Sequence, residues 1–249
     1  MNLSIDLNAD LGEGAAGESE LLLLVSSANI ACGFHAGDPN SMTASIMAAK
    51  EAGVAVGAHP SLADREHFGR RELPVTAKEV FALVAYQVGA FQAVANSLGV
   101  LPNHIKPHGA LYNMATRDPA LAEAVAHGIL AVDRSLILFA PAGSAMARAA
   151  EAIELRVARE VFADRNYLPD GSLVPRTRPD ALLHDAEEAG QRVLRMLREN
   201  KVRAVDGSDV TLEVDTICLH GDKPEAVAFA QTLRAQLCAA GVKVAAPAN

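Results

Sequence analysis

The sequence predicts an α/β fold closed into a (β/α) barrel. Three observations carry this: short apolar runs alternate with longer helical patterns, helix-start signals follow those runs, and polar residues stand just past nearly every run. The third separates a barrel from an open doubly wound sheet. A barrel spreads its chemistry over all its strand ends, whereas an open sheet concentrates it at one switch point. A length of 249 residues suits such a barrel as one domain over residues 1–249.

Strands are expected near residues 3–8, 29–32, 54–58, 104–106, 136–139, 156–162 and 216–219, each a short β-branched or apolar run. Between them, Asp38 with Pro39 and Asp118 with Pro119 read as an N-cap followed by a proline at the first helical position. Thr76 with Glu79 and Asp222 with Glu225 read as capping boxes. The helix after Thr76 is the clearest. Val80, Val84, Val88, Phe91, Ala95 and Leu98 recur three or four residues apart, which demands one buried face, and Gly99 supplies its stop. Residues 201–214 read instead as two short strands about an Asp206-Gly207 turn.

Composition narrows the function classes. Half the residues are hydrophobic and the net charge is -8, so a core is available and the basic footprint of a nucleic-acid binder is missing. The N-terminal MNLSIDLNAD has no basic and apolar leader, and no unbroken apolar run approaches the ~18 residues of a bilayer span. A cytoplasmic protein is expected. Cys32, Cys218 and Cys238 form no CxxC pair and no closed disulfide set, in keeping with a reducing compartment. There is no Gly-Lys dipeptide and no GxSxG, which removes the P-loop and the nucleophile elbow.

The chemistry-bearing residues begin in the first strand. Asp6, Asn8 and Asp10 are two apart, so on a strand they share one face, with Glu13 in the loop beyond. An EF-hand is excluded: counting from Asp6, its sixth and twelfth positions hold Leu11 and Gly17. His35, His59, His108 and His220 each stand at or just past an expected strand end beside Gly or Pro, and a barrel would gather them at one rim. Imidazoles and carboxylates so gathered suit either a divalent metal, with Asp10, His35, His59 and His108 as its ligands, or a metal-free polar pocket. No HExxH decides between the two. Lys106 shares a strand face with His108 and offers a cation to an oxyanion or phosphate. Arg70, Arg71 and Arg165 lie in loops where a guanidinium could hold a small acid. Asp38 and Asp222 are explained by capping, and His67, His104, His127 and His184 read as surface or packing residues.

Six ordered blocks, DLNADLGEG, ANIACGFHAGDP, GAHPSLADREHFGRR, HIKPHGALYN, EVFADRNY and ICLHGD, closely resemble those of the LamB/YcsF family, to which the A subunit of ATP-hydrolysing 5-oxoprolinase belongs. The resemblance covers nearly the whole chain and departs most clearly at Glu66-His67, where many relatives have a glycine before the phenylalanine. It implies a seven-stranded, deacetylase-like barrel. It further implies ATP-dependent opening of 5-oxoproline to L-glutamate in a complex with subunits B and C, the ATP being bound with or by those partners. Within that scheme Asp10 is the general base, and Lys106 with a histidine from His35, His59 or His108 stabilises an oxyanion or phosphate. Asp6 and Asn8 orient the others, and both, with Glu13, Arg70, Arg71, Arg165 and His220, are substrate-binding candidates. Two other readings stay open: a self-sufficient metal-dependent amidase or carbohydrate deacetylase, and a non-catalytic lactam-binding subunit.

Overall fold

A barrel needs strands that are apolar on the outside, where helices cover them, and β1 (Ser4–Leu11) meets that demand: Ile5, Leu7, Ala9 and Leu11 are buried on one parity, with Asp6, Asn8 and Asp10 on the other. The structure, a computed structural model, describes residues 3–175, 177–219 and 226–248. Six further parallel strands complete the barrel: β2 (Ser27–Ala31), β3 (Ala55–His59), β4 (His104–Ile105), β5 (Ile137–Ala140), β6 (Val157–Phe162) and β9 (Thr216–Leu219). They follow one another in chain order, and β9 pairs with both β6 and β1, so the sheet closes on seven strands as the resemblance implied. The hairpin of β7 (Lys201–Arg203) and β8 (Asp209–Thr211) lies outside it and is antiparallel. A last strand unforeseen in the sequence, β10 (Lys243–Val244), adds to the start of β1.

The helices are α1 (Glu18–Leu22), α2 (Pro39–Ala52), α3 (Ala77–Ser97), α4 (Gly109–Arg117), α5 (Pro119–Leu130), α6 (Ala145–Ala152), α7 (Ala186–Glu199) and α8 (Ala226–Ala239). Asp38, Thr76 and Asp118 cap α2, α3 and α5 as expected, with full capping boxes at Asp38 and Thr76. The expected cap at Asp222 to Glu225 lies outside the described residues. In α3, Val80, Val84, Val88, Phe91 and Ala95 form the buried face, each large side chain contributing roughly 1.5–3 kcal/mol relative to exposure. By length and composition alone α3 would pass for a bilayer span. Its capping box and its buried Gln87, which holds the backbone of Ser61 from both sides, instead mark a helix packed on the barrel wall.

The barrel interior is polar, where most such barrels are filled by branched aliphatics. Gly57 makes this possible at one level, because a Cβ there would run into the His104 ring. His104 therefore lies across the interior, stacked on Phe139 with centroids 4.2 Å apart and bonded through Nε2 to Asn29 Oδ1 at 2.8 Å. It is a packing residue, as expected.

Candidate active site

The inward parity of β1 sets three levels. At the lowest, Asp6 is fully enclosed and accepts hydrogen bonds from the hydroxyls of Ser26 (2.7 Å), Ser27 (2.8 Å) and Thr216 (2.5 Å). Burial outweighs these donors and pushes its carboxyl up to about 6. At the middle level Asn8 donates to Glu160 Oε1 (3.0 Å) and Thr216, and accepts from Asn29 and Lys106. At the upper level Asp10 accepts from Asn29 (2.9 Å) and Lys106 (3.0 Å) through Oδ1, leaving Oδ2 toward His59 at 3.4 Å.

Lys106 is the hub. Its ammonium lies 3.2 Å from Glu160 and donates to Asp10, Asn8 and the Cys218 sulfur. Burial alone would lower it, but Asp10, Cys218 and Glu160 outweigh burial and hold it well above the ordinary lysine range. Burial likewise would raise Asp10, but His59 and the Lys106 ammonium beside it hold it well below the carboxylate range. The pair is thus a fixed ammonium beside a fixed carboxylate at neutral pH.

Beside Asp10 the loop after β1 carries Glu13 back toward three imidazoles. His35 Nε2 lies 2.9 Å from Glu13 Oε1, with His108 Nδ1 at 3.5 Å and His59 Nε2 at 3.9 Å from the same oxygen. The His35 and His108 rings stack at 3.8 Å. The four facing ligand atoms lie within 4.8 Å of one another, so this is a cluster of metal-ligating type. Burial and the adjacent Asp10 raise Glu13 to about 7; burial and neighbouring imidazoles lower His35 to about 3 and His108 to about 2.

Gly109 ties this cluster to the loop after β3. Its φ is 55°, its own Cβ would meet Gly69 O at 2.5 Å, and the Gly69 carbonyl accepts from Ala110 N there. Phe68, just before Gly69, takes the left-handed conformation itself and offers its carbonyl to His108 Nε2 at 2.8 Å. This is the loop whose Glu66-His67 departs from its resemblance.

A cavity of about 190 Å³ opens on Asp10, His59, Lys106 and His108, walled by Arg70, Tyr112, Phe162 and Arg165. That is below the range for drug-sized ligands and suits a small metabolite. A larger groove between α3 and α5, about 550 Å³, is lined by four alanines with Phe81, Leu130, Glu123 and His127, and shares no residue with this cavity.

The structure therefore brings together Asp10, Glu13, His35, His59, Lys106, His108, Arg70 and Arg165. Three expectations need correction. Asp6 lies two levels below the cavity and touches only hydroxyls, so it is no substrate contact. Arg71 turns to Asp64 at 3.1 Å and does not line the cavity. In the candidate ligand set Glu13 stands where Asp10 was expected, since Asp10 is engaged by Lys106 and Asn29. Asn8 is enclosed in the interior and reaches the site only through Asn29 and Lys106. His220 lies outside the described residues. Sequence reasoning passed over Glu160, Asn29, Thr216 and Tyr112, whose hydroxyl donates to Glu160 at 2.7 Å. For Glu160, an acid in the expected strand VAREVF, the signal was the one used for Asp10.

The family model described as "LamB/YcsF family" matches residues 5–249. A curated relative from Tolumonas auensis, named as the A subunit of 5-oxoprolinase, is 51% identical over 97% of this chain and 98% of its own. A solved structure, a "Lactam Utilization Protein" from Thermus thermophilus, superposes with a TM-score of 0.93 at 44% identity, covering 98% of this chain and all of that one. The family 4 carbohydrate esterase from Streptomyces lividans shares the fold at a TM-score of 0.50 and 13% identity, covering 98% of this chain and 92% of that one.

Proposed function

The chain belongs to the LamB/YcsF family, and from that premise we propose that it is the lactam-opening component of an ATP-dependent 5-oxoprolinase. It is a hydrolase acting on a cyclic amide, converting 5-oxoproline to L-glutamate with subunits B and C in the cytoplasm. The observation that carries the reading is the Asp10–Lys106 pair at the floor of a cavity sized for a small acid.

A five-membered lactam is a poor electrophile because amide resonance stabilises it. Phosphorylation of the carbonyl oxygen, with ATP bound by or with the partner subunits, weakens that resonance and readies the carbonyl carbon for water. Asp10, ionised at neutral pH, accepts a proton from the attacking water as the new C–O bond forms. Lys106 stands 3.0 Å from Asp10 and offsets the negative charge that develops on oxygen, and the buried site strengthens that interaction. As the C–N bond breaks, the nitrogen takes the proton held by Asp10 and becomes the amine of glutamate, and a second water cleaves the acyl phosphate left on the former carbonyl carbon, releasing inorganic phosphate. Arg70 and Arg165, on the cavity wall, are placed to hold the substrate carboxylate. Asn8, Asn29 and Glu160 keep Lys106 and Asp10 in register.

The test is glutamate release from 5-oxoproline by the purified chain, alone and with subunits B and C, with and without ATP. Glutamate is expected only with partners and ATP together. Its absence when the three chains are folded and associated would reject the substrate.

A further inference from the structure

We propose that Glu13, His35, His59 and His108 form a binding site for one divalent transition-metal ion of the zinc type.

The outer nitrogens of two rings show it first. His59 Nδ1 faces the Lys106 carbonyl at 2.5 Å, and His108 Nε2 faces the Phe68 carbonyl at 2.8 Å. A carbonyl only accepts, so both outer nitrogens carry the proton. In two neutral rings the inner nitrogens, His59 Nε2 and His108 Nδ1, are then both bare lone pairs, and they face each other at 2.9 Å. Two lone pairs at that distance repel unless a positive charge lies between or beside them. The same centre receives Glu13 Oε1 and His35 Nε2, so a carboxylate and three imidazoles converge, with the Arg70 guanidinium near enough for its charge to act on Glu13 and His35.

A metal ion answers each of these features. Zn–N and Zn–O bonds of about 2.0–2.1 Å place neighbouring tetrahedral ligand atoms roughly 3.3 Å apart. Four of the six separations here, 2.9, 2.9, 3.5 and 3.9 Å, bracket that value, and all six lie within 4.8 Å. Outer N–H groups given to backbone carbonyls are the usual device that fixes the tautomer and orientation of a metal-binding histidine. His59 and His108 have it; His35 Nδ1 has no partner among the described residues. Nitrogen and carboxylate donors in this proportion favour zinc and its first-row neighbours over calcium or magnesium, which prefer all-oxygen sets. The rival occupant is a single proton shared between His59 and His108. Against it stands the fourfold convergence, since one shared proton would need only two of the residues.

His59 and His108 also line the cavity, so an ion held here would border the substrate and polarise a carbonyl or a bound water. The inference rests on the geometry of the four residues, and its test needs neither lactam, ATP nor partner, so its failure and that of the lactam reading are separable.

The full-length chain is stripped with chelator, checked for folding by circular dichroism, and titrated with Zn²⁺ against a chromophoric competitor, then with Co²⁺ for its visible spectrum. One ion per chain is expected, with an intense Co²⁺ band of four- or five-coordinate nitrogen-rich ligation. H35A and the near-isosteric E13Q should each weaken Zn²⁺ by at least about 100-fold, while D10N and the exposed-site control H127N keep it. A folded chain that binds no stoichiometric ion carries the shared proton instead, and the proposal falls. Binding that survives both H35A and E13Q, or that is lost in D10N and kept in E13Q, overturns the ligand set.

Discussion

Replacing Lys106 with methionine should cost the fold more than any other single change in the barrel interior. The ammonium is 3.0 Å from Asp10 and 3.2 Å from Glu160, and its side chain is almost wholly buried. Methionine fills much of the same volume, so the change isolates charge from packing. What remains is two carboxylates in one enclosed space with no cation between them. Removing one partner of a buried ion pair typically costs about 3–5 kcal/mol. For a chain of this size each kcal/mol lowers Tm by ~2–4 °C, so a fall of roughly 6–20 °C is expected at pH 7. Differential scanning calorimetry with urea unfolding in parallel would measure it. The double variant K106M/E160Q discharges one of the stranded carboxylates, and the amide oxygen it introduces still accepts one of the bonds now made by Asn8 and Tyr112, so it should recover a substantial part of the loss. A K106M loss below about 1 kcal/mol, or a double variant with no recovery, would refute the view that Lys106 neutralises this interior.

Three further outcomes follow from the same geometry. The Asp6 carboxyl ionises near 3.8 when unfolded but holds its proton to about 6 when folded, so between these values the unfolded chain binds fewer protons and stability falls as pH rises. D6N should remove roughly 2 kcal/mol of that decline between pH 4 and pH 7, read as the pH dependence of urea midpoints; an unchanged slope would contradict it. T76A should cost about 1 kcal/mol by loss of the α3 capping box, seen as a Tm lower by ~2–4 °C. G109A places a Cβ against the Gly69 carbonyl in a left-handed backbone, so it should lower both stability and glutamate formation, and unchanged kinetics would argue that this close approach is dispensable.

The seven barrel strands were legible because each is a short apolar run followed by a turn, and the caps at Asp38, Thr76 and Asp118 fixed where helices begin. Inward parity made Asp6, Asn8 and Asp10 one column. That column alone could not say which member meets substrate, because depth along a strand depends on the register of its neighbours: Asp6 pairs at the level of Thr216, Asp10 at that of Asn29. Glu160, next to Arg159 in β6, and Asn29, two from Ser27 in β2, escaped notice because neither belongs to a column of three polar residues like that of β1. The convergence of Glu13 on the histidines depends on how the loop turns back after β1 at Gly12 and Gly14, both left-handed, and no periodicity encodes such a turn. The two-residue strand β10 is too short to leave a pattern, being held by pairing with Ser4 and Ile5.

Ring opening at Asp10 within this barrel is the central claim. The most direct test is glutamate formation from 5-oxoproline and ATP by the complex with subunits B and C carrying D10N, with assembly and folding of the variant confirmed. Turnover should drop by ~100-fold or more while the complex still forms. Near-normal turnover by an assembled D10N complex would contradict the claim and leave the barrel as a binding component.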